Sequence, residues 1–183
     1  YVTGSFLFLD TNNNEESNSI KKQKGIYIKD IAPDNNVNNN ADLLLCVGNK
    51  TISKNNSLVL SPNCEAEYKF QKNDYYKRIY ENIIINAKNK IGTKDAEEGF
   101  WAENVKMANS TEESIAYCVP LIDIKHNVIG VMGVEISKDY LKKCCGRFKG
   151  VNRFDSLLLA NESNGQFETI ELFEGNNDSK NID

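Results

Sequence analysis

The chain has 183 residues, 40% apolar and 26% charged, with a formal net charge of -4 and a pI near 5.2. That length holds one full-sized domain, or one domain plus part of another. The 8 Tyr, 8 Phe and 1 Trp argue against a disordered tail, the acidic balance argues against a nucleic-acid module, and the longest apolar run, Val128 to Val134, falls far short of the roughly 20 residues that cross a bilayer.

No N-terminal targeting segment is visible, and the start at Tyr1 without a Met predicts a piece cut from a longer protein. Asn clusters at Asn12 to Asn14, Asn35-Asn36, Asn38 to Asn40, Asn55-Asn56 and Asn176-Asn177. Asn favours turns because its side chain mimics a backbone turn. Bias of this kind also accumulates in genomes rich in A and T. It creates five Asn-x-Ser/Thr sequons, at Asn49, Asn55, Asn109, Asn161 and Asn177, which would carry glycans only in a eukaryotic secreted protein.

In chain order, Gly4 to Leu9 reads as a buried strand and Thr11 to Lys24 as a loop. Gly25 to Ile31 alternates as a half-buried strand should, and Pro33 to Asn40 is a polar connection. Leu43 to Val47 and Ser57 to Leu60 are short apolar runs, with Gly48 and Asn49 marking a turn between them. Asp74 to Lys88 carries Tyr75, Tyr76, Ile79, Tyr80, Ile83, Ile84 and Ala87 at helical spacing, which predicts an amphipathic helix capped by Asn73 or Asp74. Phe100-Trp101 precedes a polar stretch. Ser114 to Asp123 and Val128 to Ile136 then predict a long antiparallel hairpin around the turn Ile124-Lys125-His126-Asn127. Gly130 and Gly133 are expected to thin one surface of its second strand, where a helix or a ligand would pack. Ser137 should cap a short helix from Lys138 to Cys145, closed by Gly146. Ser156 to Leu159 and Gln166 to Phe173 read as strands around the turn signal Asn164-Gly165, and Gly175 to Asp183 as a frayed end. Strands, helix, hairpin, short helix and strands make an α+β pattern with an antiparallel sheet, not a Rossmann or TIM architecture.

The chemistry expected from the residues is binding, not catalysis. The single histidine, His126, falls at a turn tip, and no GxSxG, HExxH, GxGxxG or GxxxxGK[ST] motif occurs. The five cysteines form no CxxC pair; Cys144 and Cys145 are adjacent, Cys118 reads as a small buried hydrophobe, and a Cys46–Cys64 bridge is open only in an oxidising compartment. Asp30, Asp34, Asn36 and Asn38 lack the ordered pattern of a calcium loop, and no metal or cofactor is expected. Phe100, Trp101, Tyr117, Tyr75, Tyr76 and Tyr80 offer aromatic walls. Glu135 interrupts an apolar strand and is expected on the face opposite Val134 and Ile136, with Met132 and Gly130. A carboxylate there needs a partner, because burying a lone charge is costly. A Lys or Arg of the protein in a salt bridge, a backbone N–H, an exposed edge position and a cationic ligand all satisfy that need.

Phe100-Trp101, the segment Tyr117-Cys118-Val119-Pro120-Leu121-Ile122-Asp123, the segment Val128-Ile129-Gly130-Val131-Met132-Gly133-Val134-Glu135-Ile136-Ser137 and Tyr140-Leu141 together resemble the extracytoplasmic double Cache sensor domain of bacterial receptors. Gly25 to Pro33 with Asp42-Leu43-Leu44 is similar to the membrane-distal module of that family, and the Tyr75-Tyr76 helix to its middle helix. The resemblance covers about residues 4 to 145. It implies a PAS-like antiparallel sheet flanked by helices, with the central hairpin at 114–136. Residues 1–146 would be the membrane-distal sensor module, and 147–183 the start or remnant of a membrane-proximal one. It further implies a long helix before Tyr1, a membrane-anchored parent that dimerises through that helix, and a kinase, cyclase or chemotaxis output. The ligand would be a small amine, amino-acid-like compound or organic acid. By this resemblance Trp101, Tyr117, Glu135, Phe100 and Tyr76 are the candidate ligand-binding residues, with Glu135 at the acidic position that holds a ligand amino group. The family's Arg-x-Trp-Tyr signature is missing, since Arg78 is followed by Ile79-Tyr80, which argues against an α-amino acid held in the usual way. The alternative expectation is a secreted structural or adhesive domain; a cysteine hydrolase using His126 ranks last.

Overall fold

A computed structural model of the chain describes residues 2–9, 21–35, 40–70, 83–85, 88–89, 99–105, 107, 113–141, 156–163 and 166–174. The strands are β1 (Gly4–Leu9), β2 (Lys21–Gln23), β3 (Gly25–Asp30), β4 (Leu43–Val47), β5 (Val59–Glu65), β6 (Tyr68–Phe70), β7 (Phe100–Val105), β8 (Ser114–Ile122), β9 (Val128–Ser137), β10 (Ser156–Ser163) and β11 (Gln166–Glu174). Seven of them build one sheet in the order β5-β4-β3-β1-β9-β8-β7, antiparallel at every pair except β4 with β5. The five strands from β3 to β7 in that order run second, first, fifth, fourth, third in chain sequence, as a PAS-like sheet would have them. The expected α+β class and its central hairpin are therefore what the chain forms.

β8 and β9 hold that hairpin from Ser114 opposite Ser137 to Ile122 opposite Val128. Asp123 closes its turn: the carboxylate accepts from the backbone N–H groups of Lys125 and Asn127, both at 2.8 Å. His126 stands exposed at the tip with φ of 62°.

The parallel pair β4–β5 corrects the expected simple turn at Gly48 and Asn49. Two parallel strands cannot be joined by a tight turn. The crossover is made by α1 (Lys50–Asn56), a helix without an apolar stripe, so periodicity could not reveal it. Its ends define it instead. Asn49 Oδ1 accepts from the Thr51 N–H at 3.0 Å, and Ser57 takes the left-handed conformation at φ 53° to end the helix. β5 also runs on to Glu65, past the expected end at Leu60.

Strand alternation gives the sheet two unequal faces. On the first lie Phe6, Phe8, Tyr27, Val47, Phe100, Ala116, Cys118 and Val131, in one buried cluster with Ile83, Ile84, Met107 and Tyr68. The Phe6–Phe8 and Phe8–Tyr68 ring centroids are 5.0 and 4.6 Å apart. Each such side chain contributes about 1.5–3 kcal/mol of burial. Of the expected helix Asp74–Lys88, residues 83–85 and 88 are described and helical, with Ile83 and Ile84 turned into this core and Ile85 turned out. Its remainder, including Tyr76, lies outside the described residues, as do the tail after Glu174 and the boundary at 146–147. The short helix after β9 is described at residues 138–141, where Ser137 Oγ accepts from the Tyr140 N–H at 3.4 Å, as its capping role predicts.

Gly130 and Gly133 do not thin one surface. They are three residues apart in a strand, so they point to opposite faces. What crowds them is β1: an added Cβ would lie 2.4 Å from Phe6 Cζ at Gly133 and 2.3 Å from the Phe8 carbonyl oxygen at Gly130.

Candidate functional site: a buried carboxyl on the central strand

Glu135 sits on β9, two strands in from the β7 edge, and is only 2% exposed. Its cross-strand neighbours are Gly4 on β1 and Ala116 on β8. Both are small, and that makes room for a carboxyl group between strands. A Cβ on Gly4 would stand 2.7 Å from Glu135 Oε2 and 2.9 Å from Tyr27 Cε2. The carboxyl group shares its face with Val131 and Gly133, which corrects the expected company of Met132 and Gly130; positions two apart share a face and odd separations do not.

Two hydroxyls meet the carboxylate. Tyr27 Oη donates to Oε2 at 2.6 Å, and Ser114 Oγ donates to Oε1 at 2.6 Å. The main chain is held as well: the Thr3 N–H and Oγ1 both donate to the Glu135 carbonyl oxygen, at 2.8 and 3.1 Å. Strands β1, β3 and β8 thus converge on one residue of β9. Burial, and then the negative charge of Glu135, push the Tyr27 hydroxyl well above the ordinary tyrosine range. Tyr27 therefore stays a protonated donor. Of the expected ways to satisfy Glu135, the exposed edge position is excluded by its burial, and the donors seen at its carboxylate oxygens are hydroxyls, not a Lys, an Arg or a backbone N–H.

The other candidates do not gather there. Phe100 is buried on the same face as Glu135 and packs in the apolar cluster, so it is core rather than the wall of an open site. Trp101, its neighbour, points to the opposite face, where its ring lies 5.1 Å from that of Tyr117 at an angle of 59°. Tyr117 is 37% exposed and covers Gly99, where a Cβ would come within 2.3 Å of its ring. Tyr76 lies outside the described residues. Local reading missed Tyr27, Ser114, Thr3 and Gly4, which lie as many as 132 residues from Glu135 in the chain. An alternating strand and a buried acid were visible; their register was not.

Three thiols, Cys46, Cys64 and Cys118, are free, so the described structure holds no Cys46–Cys64 bridge. Burial pushes the Cys118 thiol up to about 12, which fits the inert buried hydrophobe expected of it. Among the described residues no three metal-ligating side chains cluster, and no helix is long and apolar enough to cross a membrane.

No protein-family model matches the chain, and no curated protein does. Among solved structures it is similar to the periplasmic sensory domain of the Campylobacter jejuni chemoreceptor Tlp1, at 14% identity and a TM-score of 0.40, over 87% of this chain and 47% of that one. The chain thus spans less than half the length of that structure.

Proposed function

We propose that the chain is a non-enzymatic, small-molecule-sensing module of Cache type from the outer face of a membrane receptor, with residues 1–146 as the sensor unit and the rest leading toward a membrane-proximal module. The observation that carries this reading is Glu135: a carboxyl group buried at the centre of the sheet, at the acidic position of the Val-Ile-Gly-Val-x-Gly-Val-Glu-Ile-Ser string. Each carboxylate oxygen accepts one hydroxyl and keeps capacity for a second donor. A small amine brings such donors together with the charge the site lacks in its hydroxyls. Binding would shift the strands that converge on Glu135 and so move the terminal elements toward the membrane.

A second reading has its own observation. Tyr27 and Ser114 already satisfy Glu135, which suits a strut inside a structural domain. A thermal-shift screen of amines, amino acids and organic acids separates the two. A ligand at 100 times its Kd raises stability by about 2.7 kcal/mol, on the order of 5–10 °C for a domain of this size. An amine hit that E135Q weakens at least tenfold supports the sensor. A screen with no hit, or a hit that E135Q leaves unchanged, supports the strut.

A further inference from the structure

β7 is an edge of the large sheet, and Trp101 lies on it. Trp101 and Tyr117 face each other across β7 and β8. The Trp101 N–H and C=O nevertheless point away from β8, to the side chain of Asn161 on β10: the Trp101 N–H donates to Asn161 Oδ1 at 2.7 Å, and Asn161 Nδ2 donates to the Trp101 carbonyl oxygen at 3.1 Å. Trp101 and Tyr117 are therefore a non-hydrogen-bonded antiparallel pair, the kind in which side chains approach most closely, and their rings do so at 5.1 Å. The amide of Asn161 fills the place that one residue of a further strand would take. The pairing of β10 with β11 shifts between Leu159 and Ala160, where β11 carries the extra residue Ile170, immediately before Asn161.

We propose that Asn161 is a positioning residue that docks the β10–β11 hairpin on the sheet edge and couples it to the Trp101–Tyr117 pair. An exposed edge invites pairing with other chains, and a side-chain amide that satisfies both backbone groups at once closes it there. Because the amide grips the backbone of Trp101 itself, a displacement of Trp101 against Tyr117 moves the hairpin with it. The coupling does not require the ligand reading above.

Trp101 is the single tryptophan of the chain, so its fluorescence reports the surroundings of this one ring. N161A should red-shift the Trp101 emission and speed amide exchange at Trp101 and along β10 by roughly tenfold, the loss of hydrogen bonds of ordinary strength. N161D keeps the acceptor and loses the donor. At neutral pH it should still accept from the Trp101 N–H but repel the Trp101 carbonyl, so that emission and exchange fall between wild type and N161A; below about pH 4, where its carboxyl protonates and can donate again, it should recover the wild-type emission. Wild type measured over the same range supplies the baseline, and this titration carries the test should N161A not fold. Y117A should change β10 exchange in the wild type and have no further effect in N161A. Unchanged Trp101 emission and exchange in a folded N161A, no acid recovery in N161D, or Y117A and N161A effects that simply add would each overturn the proposal.

Discussion

Glu135 and the Trp101–Tyr117 pair sit on adjoining rows of the same strands, yet in opposite physical settings. Ala116, opposite Glu135, is wholly buried, whereas the next residue, Tyr117, is 37% exposed. On the Glu135 side, every polar contact is inside the protein, and the donors come from Thr3 just before β1, from β3 and from β8. On the Trp101 side, the rings lean on each other at the surface and the polar contact is made by the backbone. The difference teaches that a polar residue in a strand is informative in proportion to what faces it. A buried carboxyl needs its neighbours to be small and hydroxylated, while an exposed aromatic pair places few demands around it.

Paired substitutions sharpen that contrast, the largest effect first. F100A should cost about 4 kcal/mol, from lost burial and the cavity left in the cluster, while W101A, one residue on, should cost about 1 kcal/mol or less. Urea unfolding compares the two, and equal losses would break the assignment of faces. G4A comes next at about 2 kcal/mol, because its methyl would push into Glu135 Oε2, Tyr27 and the Ile28 carbonyl. Adding E135A to G4A should remove part of that cost, which a double-mutant cycle in urea would read.

The smallest of these effects depends on pH. Y27F removes one donor from Glu135 and should cost about 1 kcal/mol at pH 7. Wild-type Tyr27 keeps its proton when folded well above pH 10, whereas in the unfolded chain it ionises near pH 10. The unfolded state therefore sheds a proton that the folded state keeps. This contribution is fully present below pH 10 and is lost as pH rises beyond it, by up to about 1.4 kcal/mol per pH unit. Tyr68 and Cys118 are raised by burial too and remain in the variant. Stability measured from pH 9 to 12 should fall less steeply in Y27F than in wild type, and parallel curves would show that the Tyr27 hydroxyl is not held protonated in the core.

Much of the sheet was legible locally. β1, β3, β4, β8 and β9 are short β-branched or apolar runs bounded by turn residues, and their positions follow from alternation and turn chemistry. α1 was not legible, because a polar seven-residue helix is specified by its caps and by the parallel pair it connects. β2 and β6 were not, since three residues carry no periodicity and gain their meaning by pairing with each other. In the site, Glu135 stood out as an acid in an apolar run. Phe100 and Trp101 looked alike as neighbouring aromatics, and the pairing of β7 with β8 then sent them to opposite faces.

The sequence by itself determined the class of the protein, its central hairpin, the exposed turn at His126 and the singular character of Glu135. All of these follow from the order of residues within about ten positions, where backbone propensity and alternation act. Only the tertiary structure decided that Tyr27 and Ser114 satisfy Glu135, that Gly4 makes room for it and that Asn161 grips Trp101. Those contacts join residues from 21 to 131 positions apart. They depend on strand register, which is set by burying the whole first face of the sheet at once rather than by any short segment of chain.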